Sequence, residues 1–154
     1  MMDIAGEASV LVVEDYAPFR AAIRDILEAE GYMVLVATDG MHALEMLSDM
    51  QGENLPHLIL SDVSMPRLDG YGLCRAIRER TEWAVLPFVF MTATPEAVSD
   101  VWKMCALDCI AKPFAPQYLV AVVAKYLRAE HRTQAEHPMD DYEVERTYSS
   151  KAVI

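Results

Sequence analysis

The sequence predicts an α/β protein in which a five-stranded parallel sheet lies between two layers of helices, as a three-layer sandwich. Short apolar segments alternate five times with longer amphipathic segments, which is the pattern of repeated strand–helix units joined by right-handed crossovers. Chemically active side chains follow those apolar segments, at the edge of the sheet where open α/β folds bind ligands. With 154 residues and a hydrophobic content of 53%, the chain is long enough for one core.

Apolar periodicity and turn residues predict each strand and helix in order. The strands are expected at 9–14, 32–37, 57–61, 86–91 and 109–111. The helices are expected at 18–30, 39–51, 69–80 and 116–128, with a further helix that begins at Thr94. The expected strand order is 2-1-3-4-5, as in the flavodoxin-like fold, although periodicity alone does not select it.

Capping residues set the expected ends of the helices. Asp39 is expected to cap the second helix with its side chain, and Gly31 to end the first. Thr94 followed by Pro95 has the cap-and-proline pattern of a helix start. The buried face of that fourth helix would then consist of Val98, Val101, Trp102 and Cys105.

One domain is expected at residues 7–128, followed by a polar, acidic tail or linker at 129–154. Two interpretations of this tail are open: a loosely ordered terminus, or an ordered extension that packs on a partner or on a following domain. The N-terminus has no basic region followed by an apolar run, and no segment has the length of a membrane span. We therefore expect a cytoplasmic protein without a membrane anchor.

Charge and cysteine usage exclude some classes of function. The formal net charge of −11 disfavours direct binding to nucleic acid, because phosphate backbones require a basic face. The three cysteines, Cys74, Cys105 and Cys109, are odd in number, match no zinc-binding spacing and lie in apolar stretches. We expect them to be buried, reduced thiols.

Five polar residues at the predicted strand ends define the candidate site: Glu14, Asp15, Asp62, Thr92 and Lys112. They should converge, because the carboxyl ends of parallel strands meet at one edge of the sheet. Clustered carboxylates repel one another unless a cation neutralises them, and Mg²⁺ prefers oxygen ligands. We expect Asp15 and Asp62 to ligate Mg²⁺ directly, and Glu14 to hold a coordinated water or to ligate less directly.

The same residues suit phosphoryl transfer. Asp62 follows the central strand and is the expected nucleophile, since aspartate can form an acyl phosphate. Lys112 would place a positive charge on one phosphoryl oxygen, and Thr92 would donate a hydroxyl to another. Each residue alone has a structural explanation, such as a helix cap at Asp15, a turn at Thr92 or a surface ion pair at Lys112. Their convergence favours the chemical interpretation.

Four motifs carry a resemblance to a known family: VVED at 12–15, LSDVSMPRLDG at 60–70, MTA at 91–93 and KPF at 112–114. They closely resemble the receiver domain of bacterial two-component response regulators, the family of the chemotaxis response regulator, over residues 7–128. The motif around Asp62 is the most specific of the four.

The resemblance implies that Asp62 takes a phosphoryl group from a phosphohistidine on a sensor histidine kinase or a histidine phosphotransfer protein. It implies a Mg²⁺ site, with Mn²⁺ as an alternative ion, formed by Glu14, Asp15, Asp62 and the backbone carbonyl of Ser64. Thr92 would then shift the face formed by the fourth helix, fifth strand and fifth helix toward a downstream protein partner or an output domain. The acidic tail could contribute to that contact or to a homodimer.

The chain departs from the family pattern at the expected switch. Cys109 stands where the family usually has an aromatic residue three positions before the lysine, so the threonine–aromatic relay is expected to differ. The turn after the fourth helix is CALD at 105–108 rather than a glycine turn. The resemblance also implies a cis peptide bond before Pro113. The short side chains of Ser64 and Thr94 are expected to leave room for an attacking water, which would shorten the lifetime of the phosphorylated state.

Three functional hypotheses follow. The leading one is a phospho-accepting signalling switch, whose only catalysis is the phosphorylation and dephosphorylation of its own Asp62. A degenerate receiver that acts as a phosphate-independent interaction module is disfavoured by the intact acid set, although Cys109 is weakly in its favour. The third is an enzyme: the receiver portion of a longer signalling enzyme, or a haloacid-dehalogenase-type phosphatase. The latter is weak because Ser64 stands where a second acid would be needed.

Overall fold

The computed structural model describes residues 8–131. Residue 7 and most of the predicted tail, 132–154, lie outside the described residues. The fifth helix continues to His131, so the domain boundary expected at residue 128 falls inside a helix. Within the described range, no helix has the length and apolar character needed to cross a membrane.

Five strands and five α-helices alternate along the described chain. The strands are β1 (Ser9–Val13), β2 (Met33–Ala37), β3 (Leu58–Asp62), β4 (Phe88–Thr92) and β5 (Asp108–Ala111). The helices are α1 (Ala17–Ala29), α2 (Gly40–Ser48), α3 (Gly70–Arg78), α4 (Asp100–Cys105) and α5 (Pro116–His131). Short 3₁₀ turns occur at Gly52–Asn54 and Pro95–Ala97. The strand bounds agree with the sequence prediction to within two residues.

The five strands form one parallel sheet in the order β2-β1-β3-β4-β5, which confirms the predicted topology. The register pairs Val13 with Ser61, Asp62 with Met91, and Thr92 with Ala111. Because all strands point the same way, the residues at their carboxyl ends are delivered to one edge of the sheet.

Alternate strand residues fill two cores on opposite faces of the sheet, as expected for buried parallel strands. One core lies against α2, α3 and α4 and includes Leu11, Ile59, Phe88 and Phe90. The other lies against α1 and α5 and includes Val10, Leu60, Met91, Leu119 and Val123. Burial on both faces explains why the central strands are apolar along their whole length.

The prediction for the fourth helix is wrong in its start and in part of its face. Pro95–Ala97 is a 3₁₀ turn, and the α-helix begins only at Asp100, after Ser99. Thr94 makes no capping hydrogen bond with its side chain. Of the predicted buried face, Val98 is buried before the helix begins, and Trp102 and Cys105 pack against the core as expected. Val101 is instead 68% exposed.

The expectation of three reduced thiols is also wrong. Cys74 and Cys105 form a disulfide between α3 and α4, with a Cα–Cα distance of 6.4 Å. The two cysteines are 31 residues apart in sequence, so only the packing of these two helices brings them together. Cys109 is a free thiol and is half-buried. The expected burial therefore holds for Cys74, which is fully buried.

Candidate functional site

Three carboxylates meet at the carboxyl edge of the sheet. Glu14 and Asp15 directly follow β1, and Asp62 is the last residue of β3. Each offers an oxygen that lies within 4.8 Å of the oxygens offered by the other two. Glu14 and Asp62 are buried and Asp15 is exposed. A set of three carboxylate oxygens with one side open to solvent fits a hydrated Mg²⁺ ion.

Glu14 is the most enclosed of the three carboxylates, at 1% exposure. Its Oε2 accepts a hydrogen bond from the Tyr16 backbone N–H at 3.1 Å, and its Oε1 accepts one from Lys112 Nζ at 2.9 Å. Burial raises the pKa of Glu14, although its two hydrogen bonds and the Lys112 charge oppose that rise. Lys112 thus stabilises the charged form of a carboxylate that burial disfavours.

Lys112 bridges two of the three acids. Its Nζ lies 2.9 Å from Glu14 Oε1 and 3.3 Å from Asp62 Oδ2. It also lies 4.5 Å from the centre of the Phe19 ring, which covers the ammonium group. The Lys112 backbone N–H donates to the Thr92 carbonyl at 2.8 Å, and the Lys112–Pro113 bond is cis, as expected from the sequence.

Backbone contacts fix the position of Asp62. Its Oδ1 accepts a hydrogen bond from the Val63 N–H at 2.8 Å, which leaves Oδ2 beside Lys112. The Gly70 N–H, at the start of α3, donates to the Val63 carbonyl at 2.8 Å. A Cβ at Gly70 would collide with the Asp62 carbonyl. Glycine at this position therefore allows α3 to begin directly against the end of β3.

Thr92 ends β4, the strand next to β3, and is 6% exposed. Its Oγ1 accepts a hydrogen bond from the Thr94 N–H at 3.1 Å and lies 3.4 Å from Thr94 Oγ1. The expected cap residue Thr94 is therefore engaged with Thr92 rather than with α4. This arrangement holds the Thr92 hydroxyl at the same sheet edge as Asp62.

Ser64 and Cys109 are the remaining predicted residues, and none of the contacts described here joins either of them to the three carboxylates. Ser64 is exposed, two residues after Asp62 on the β3–α3 loop. Cys109 lies in β5 opposite Phe90 and lines a cavity of about 230 Å³ together with Val98 and Lys103. Burial, followed by the Asp108 charge, raises the pKa of the Cys109 thiol.

One interaction beside the site was missed by the sequence analysis. Asp39 caps α2, since its Oδ1 accepts a hydrogen bond from the His42 N–H at 2.9 Å, as predicted. It also accepts two hydrogen bonds from the Arg67 guanidinium, at 2.8 and 3.0 Å. Arg67 adopts a left-handed backbone conformation with φ 68°. The pair ties the β2–α2 loop to the β3–α3 loop, and no local sequence pattern signals a contact over 28 residues.

The fold and this edge of the sheet together define a flavodoxin-like α/β domain with a candidate divalent-cation site. The family model described as the response regulator receiver domain matches residues 10–124. The chain belongs to that family.

Individual proteins agree with this assignment. The probable transcriptional regulator ycf27 of Guillardia theta is 31% identical over 133 residues, which cover 85% of this chain and 50% of that protein. The receiver domain of a signal transduction histidine kinase from Syntrophus aciditrophicus is 32% identical, with a TM-score of 0.70, and the match covers 84% of this chain and 97% of that one.

A further solved structure bears on the cation site. The receiver domain of a sensor histidine kinase from Pseudomonas aeruginosa PAO1 has a magnesium ion coordinated in its active site cleft. It is 26% identical to this chain, with a TM-score of 0.71, and the match covers 79% of this chain and 98% of that one. The present chain spans about half the length of most of the curated relatives it matches.

Proposed function

We propose that this receiver domain accepts a phosphoryl group on Asp62 from a phosphohistidine of a sensor histidine kinase or a histidine phosphotransfer protein. The observation that carries the proposal is the position of the Asp62 carboxylate. It lies within reach of the other two carboxylates, and its Oδ2 lies 3.3 Å from Lys112 Nζ. A nucleophilic oxygen, a fixed positive charge and a cation site in one place are what phosphoryl transfer requires.

The proposed metal site consists of Glu14, Asp15, Asp62 and the backbone carbonyl of Ser64. When bound, Mg²⁺ or Mn²⁺ supplies positive charge that offsets the charge of the phosphoryl oxygens. The carboxylates present fit such an ion, because their oxygens already lie within 4.8 Å of one another. The magnesium-bound neighbour from Pseudomonas aeruginosa supports this assignment.

In the proposed reaction, a carboxylate oxygen of Asp62 attacks the phosphorus atom of the phosphohistidine. A P–O bond forms, the P–N bond breaks, and the electron pair of that bond leaves with the imidazole. Lys112, now between Glu14 and Asp62, turns toward the added phosphoryl oxygens and balances their charge. In dephosphorylation, water attacks the phosphorus atom of the acyl phosphate, the bond between phosphorus and the Asp62 oxygen breaks, and inorganic phosphate leaves. The short side chains of Ser64 and Thr94 leave room for that water.

Thr92 is proposed to report the phosphorylated state. Its hydroxyl accepts a hydrogen bond from the Thr94 N–H, so it can turn toward a phosphoryl oxygen only if that contact is released. Release would move the segment that leads to α4, and so change the surface of α4, β5 and α5. A downstream protein or an output domain would bind that surface, and Cys109 would modify the coupling because it supplies no aromatic ring.

We also propose the domain bounds, the association state and the cellular location of the protein. We assign the receiver to residues 7–128 and a tail or linker to 129–154, the first residues of which continue α5 to His131, with a homodimer as an additional association. We place the protein in the cytoplasm, where histidine kinases present their phosphohistidine, and assign it no direct contact with nucleic acid because its net charge is −11. The phosphate-independent alternative is disfavoured, since the acids, Thr92 and Lys112 are all present.

The test is phosphorylation of the full chain by acetyl phosphate, followed by intact mass. We expect a gain of one phosphoryl group in the presence of Mg²⁺, and none after chelation or in an Asp62→Asn variant. An Asp49→Asn variant is the matched control, because it removes an exposed carboxylate at the far end of α2, and it should be phosphorylated like the wild type. Equal labelling of Asp62→Asn and the wild type would overturn the assignment.

A further inference from the structure

Helix α4 is attached to α3 by three contacts on one face. Tyr71 stacks on Trp102 with ring centres 4.6 Å apart, and Arg78 Nε donates to the Cys105 carbonyl at 3.0 Å. Between them lies the disulfide from Cys74 to Cys105. Residues 71, 74 and 78 follow the i, i+3, i+7 spacing of one helix face. The disulfide is thus the covalent centre of the α3–α4 contact.

Apart from the packing of Trp102 and Cys105 against the core, few other interactions among the described residues hold α4 in place. The helix has six residues and no side-chain cap at Ser99, and a helix of this length is not stable by itself in water. Val101 is 68% and Met104 is 86% exposed, so these apolar side chains contribute little to packing. Beyond the helix, the Leu107 N–H donates to the Phe88 carbonyl at 2.8 Å. The position of α4 therefore depends strongly on its contacts with α3.

We propose that Cys74 and Cys105 form a reversible redox pair, and that its oxidation state determines how easily α4 moves away from α3. In the oxidised protein, the disulfide fixes the last residue of α4 to the buried middle of α3. In the reduced protein, the Tyr71–Trp102 stack and the Arg78 hydrogen bond remain between the two helices, without a covalent link. The segment between Thr92 and Cys105 then opens more easily, and the exposed apolar residues Val101 and Met104 move with it.

The reduction balances as a thiol–disulfide exchange with a dithiol reductant. A reductant thiolate attacks the sulfur of Cys105, which is the less buried of the pair, and the bond to Cys74 breaks. Cys74 leaves as a thiolate and takes up a proton, and the second reductant thiol then displaces Cys105. Two electrons and two protons pass to the pair, and the reductant becomes a disulfide. Disulfides in reducing compartments are usually transient or redox-sensing.

Hydrogen exchange on the full chain tests the proposal. One sample is oxidised with oxidised glutathione and one reduced with dithiothreitol, and alkylation under denaturing conditions counts the free thiols. We expect one alkylated cysteine in the oxidised sample and three in the reduced one. We expect amide exchange in residues 100–106, which include the hydrogen-bonded Lys103 and Ala106 amides, to be about tenfold faster after reduction.

Variants separate the disulfide from other effects of the reagents. Cys105→Ser should exchange at the fast rate under both conditions, and Cys74→Ala, which keeps a buried apolar side chain, should do the same. Cys109→Ser should retain the difference in exchange between the two redox states, with no alkylated cysteine in the oxidised sample and two in the reduced one. An Asp62→Asn variant should retain the redox dependence, so failure of the phosphorylation proposal is distinguishable from failure of this one. Three alkylated cysteines in the oxidised sample, or equal exchange in both redox states, would overturn the inference.

Discussion

At the scale of single residues, Lys112 is the side chain on which the site depends most. It is the ammonium group that contacts both Glu14 and Asp62, and it offsets the repulsion between two buried carboxylates. The same position places its charge where an added phosphoryl group would lie. One residue thus serves the stability of the carboxylate cluster and the proposed reaction.

Replacement of Lys112 by glutamine should therefore slow the phosphorylation of Asp62. Loss of one fixed charge beside a developing anion costs about a hundredfold in rate, and we expect that fall in the initial rate of labelling by acetyl phosphate at saturating Mg²⁺. Lys103→Gln is the control, because Lys103 is 59% exposed and pairs only loosely with Asp100 at 4.0 Å. A Lys112→Gln variant that is labelled at the wild-type rate would contradict the role assigned to this residue.

Asp39 has two functions that two substitutions can separate. Asp39→Asn retains a good N-cap for α2 and removes the charge that pairs with Arg67, whereas Asp39→Ala removes both. We expect Asp39→Ala to be less stable than Asp39→Asn by about 1 kcal/mol in denaturant unfolding, the usual value of a helix cap. Equal stability of the two variants would show that the cap contributes nothing.

The charge of Asp39 also predicts a pH dependence. The hydrogen bonds from Arg67 lower the pKa of Asp39 in the folded protein. The stabilisation of the folded state by the Asp39–Arg67 pair is therefore fully present above the unfolded-state pKa of about 3.9. It is lost as the pH falls through the lower folded-state pKa of Asp39. The free energies of unfolding of the wild type and Asp39→Asn should differ at neutral pH and become equal in strong acid. A difference that grows on acidification would contradict this sign.

At the scale of elements, the contact between α3 and α4 is where sequence-based prediction fails. The pattern Thr94–Pro95 is typical of a helix start, but the Thr94 N–H instead donates to Thr92 and Pro95 begins a 3₁₀ turn. The disulfide was missed because Cys74 and Cys105 each look like a buried apolar residue in its own helix. The first error comes from a loop conformation and the second from a tertiary contact, and helix propensity indicates neither of them.

Arg78 joins three parts of this region and should be important for stability. Its guanidinium donates to the carbonyls of Cys105, Ala84 and Leu86, and burial lowers the pKa of Arg78. Arg78→Met would leave these carbonyls without their donor, so we expect a loss of about 2 kcal/mol or more in the free energy of unfolding.

Arg75→Met on the same helix is the matched control for Arg78. The Arg75 side chain is 72% exposed, and its ion pair with Glu79 is long, at 3.5 Å. We expect this variant to change the free energy of unfolding by less than about 0.5 kcal/mol. Chemical denaturation of both variants measures the difference, and similar losses for the two would show that the Arg78 hydrogen bonds are not the cause.

At the scale of the whole molecule, the sheet could be predicted because its strands are buried on both faces. Segments such as Val10–Val13 and Leu58–Leu60 are fully buried. They therefore have no polar face, and their continuous apolar sequence indicates a strand. The positions of Glu14, Asp62, Thr92 and Lys112 then followed from the shared direction of parallel strands. The Arg67–Asp39 pair and the hydrogen bond between Thr92 and Thr94 could not follow, because they depend on loop conformations.

The pairing of Lys112 with Glu14 has a consequence for biosynthesis. The two residues are 98 positions apart and belong to the ends of the first and the last strand. A chain emerging from the ribosome contains the three acids before Lys112 has been synthesised. The site is therefore complete only when β5 docks at the edge of the sheet.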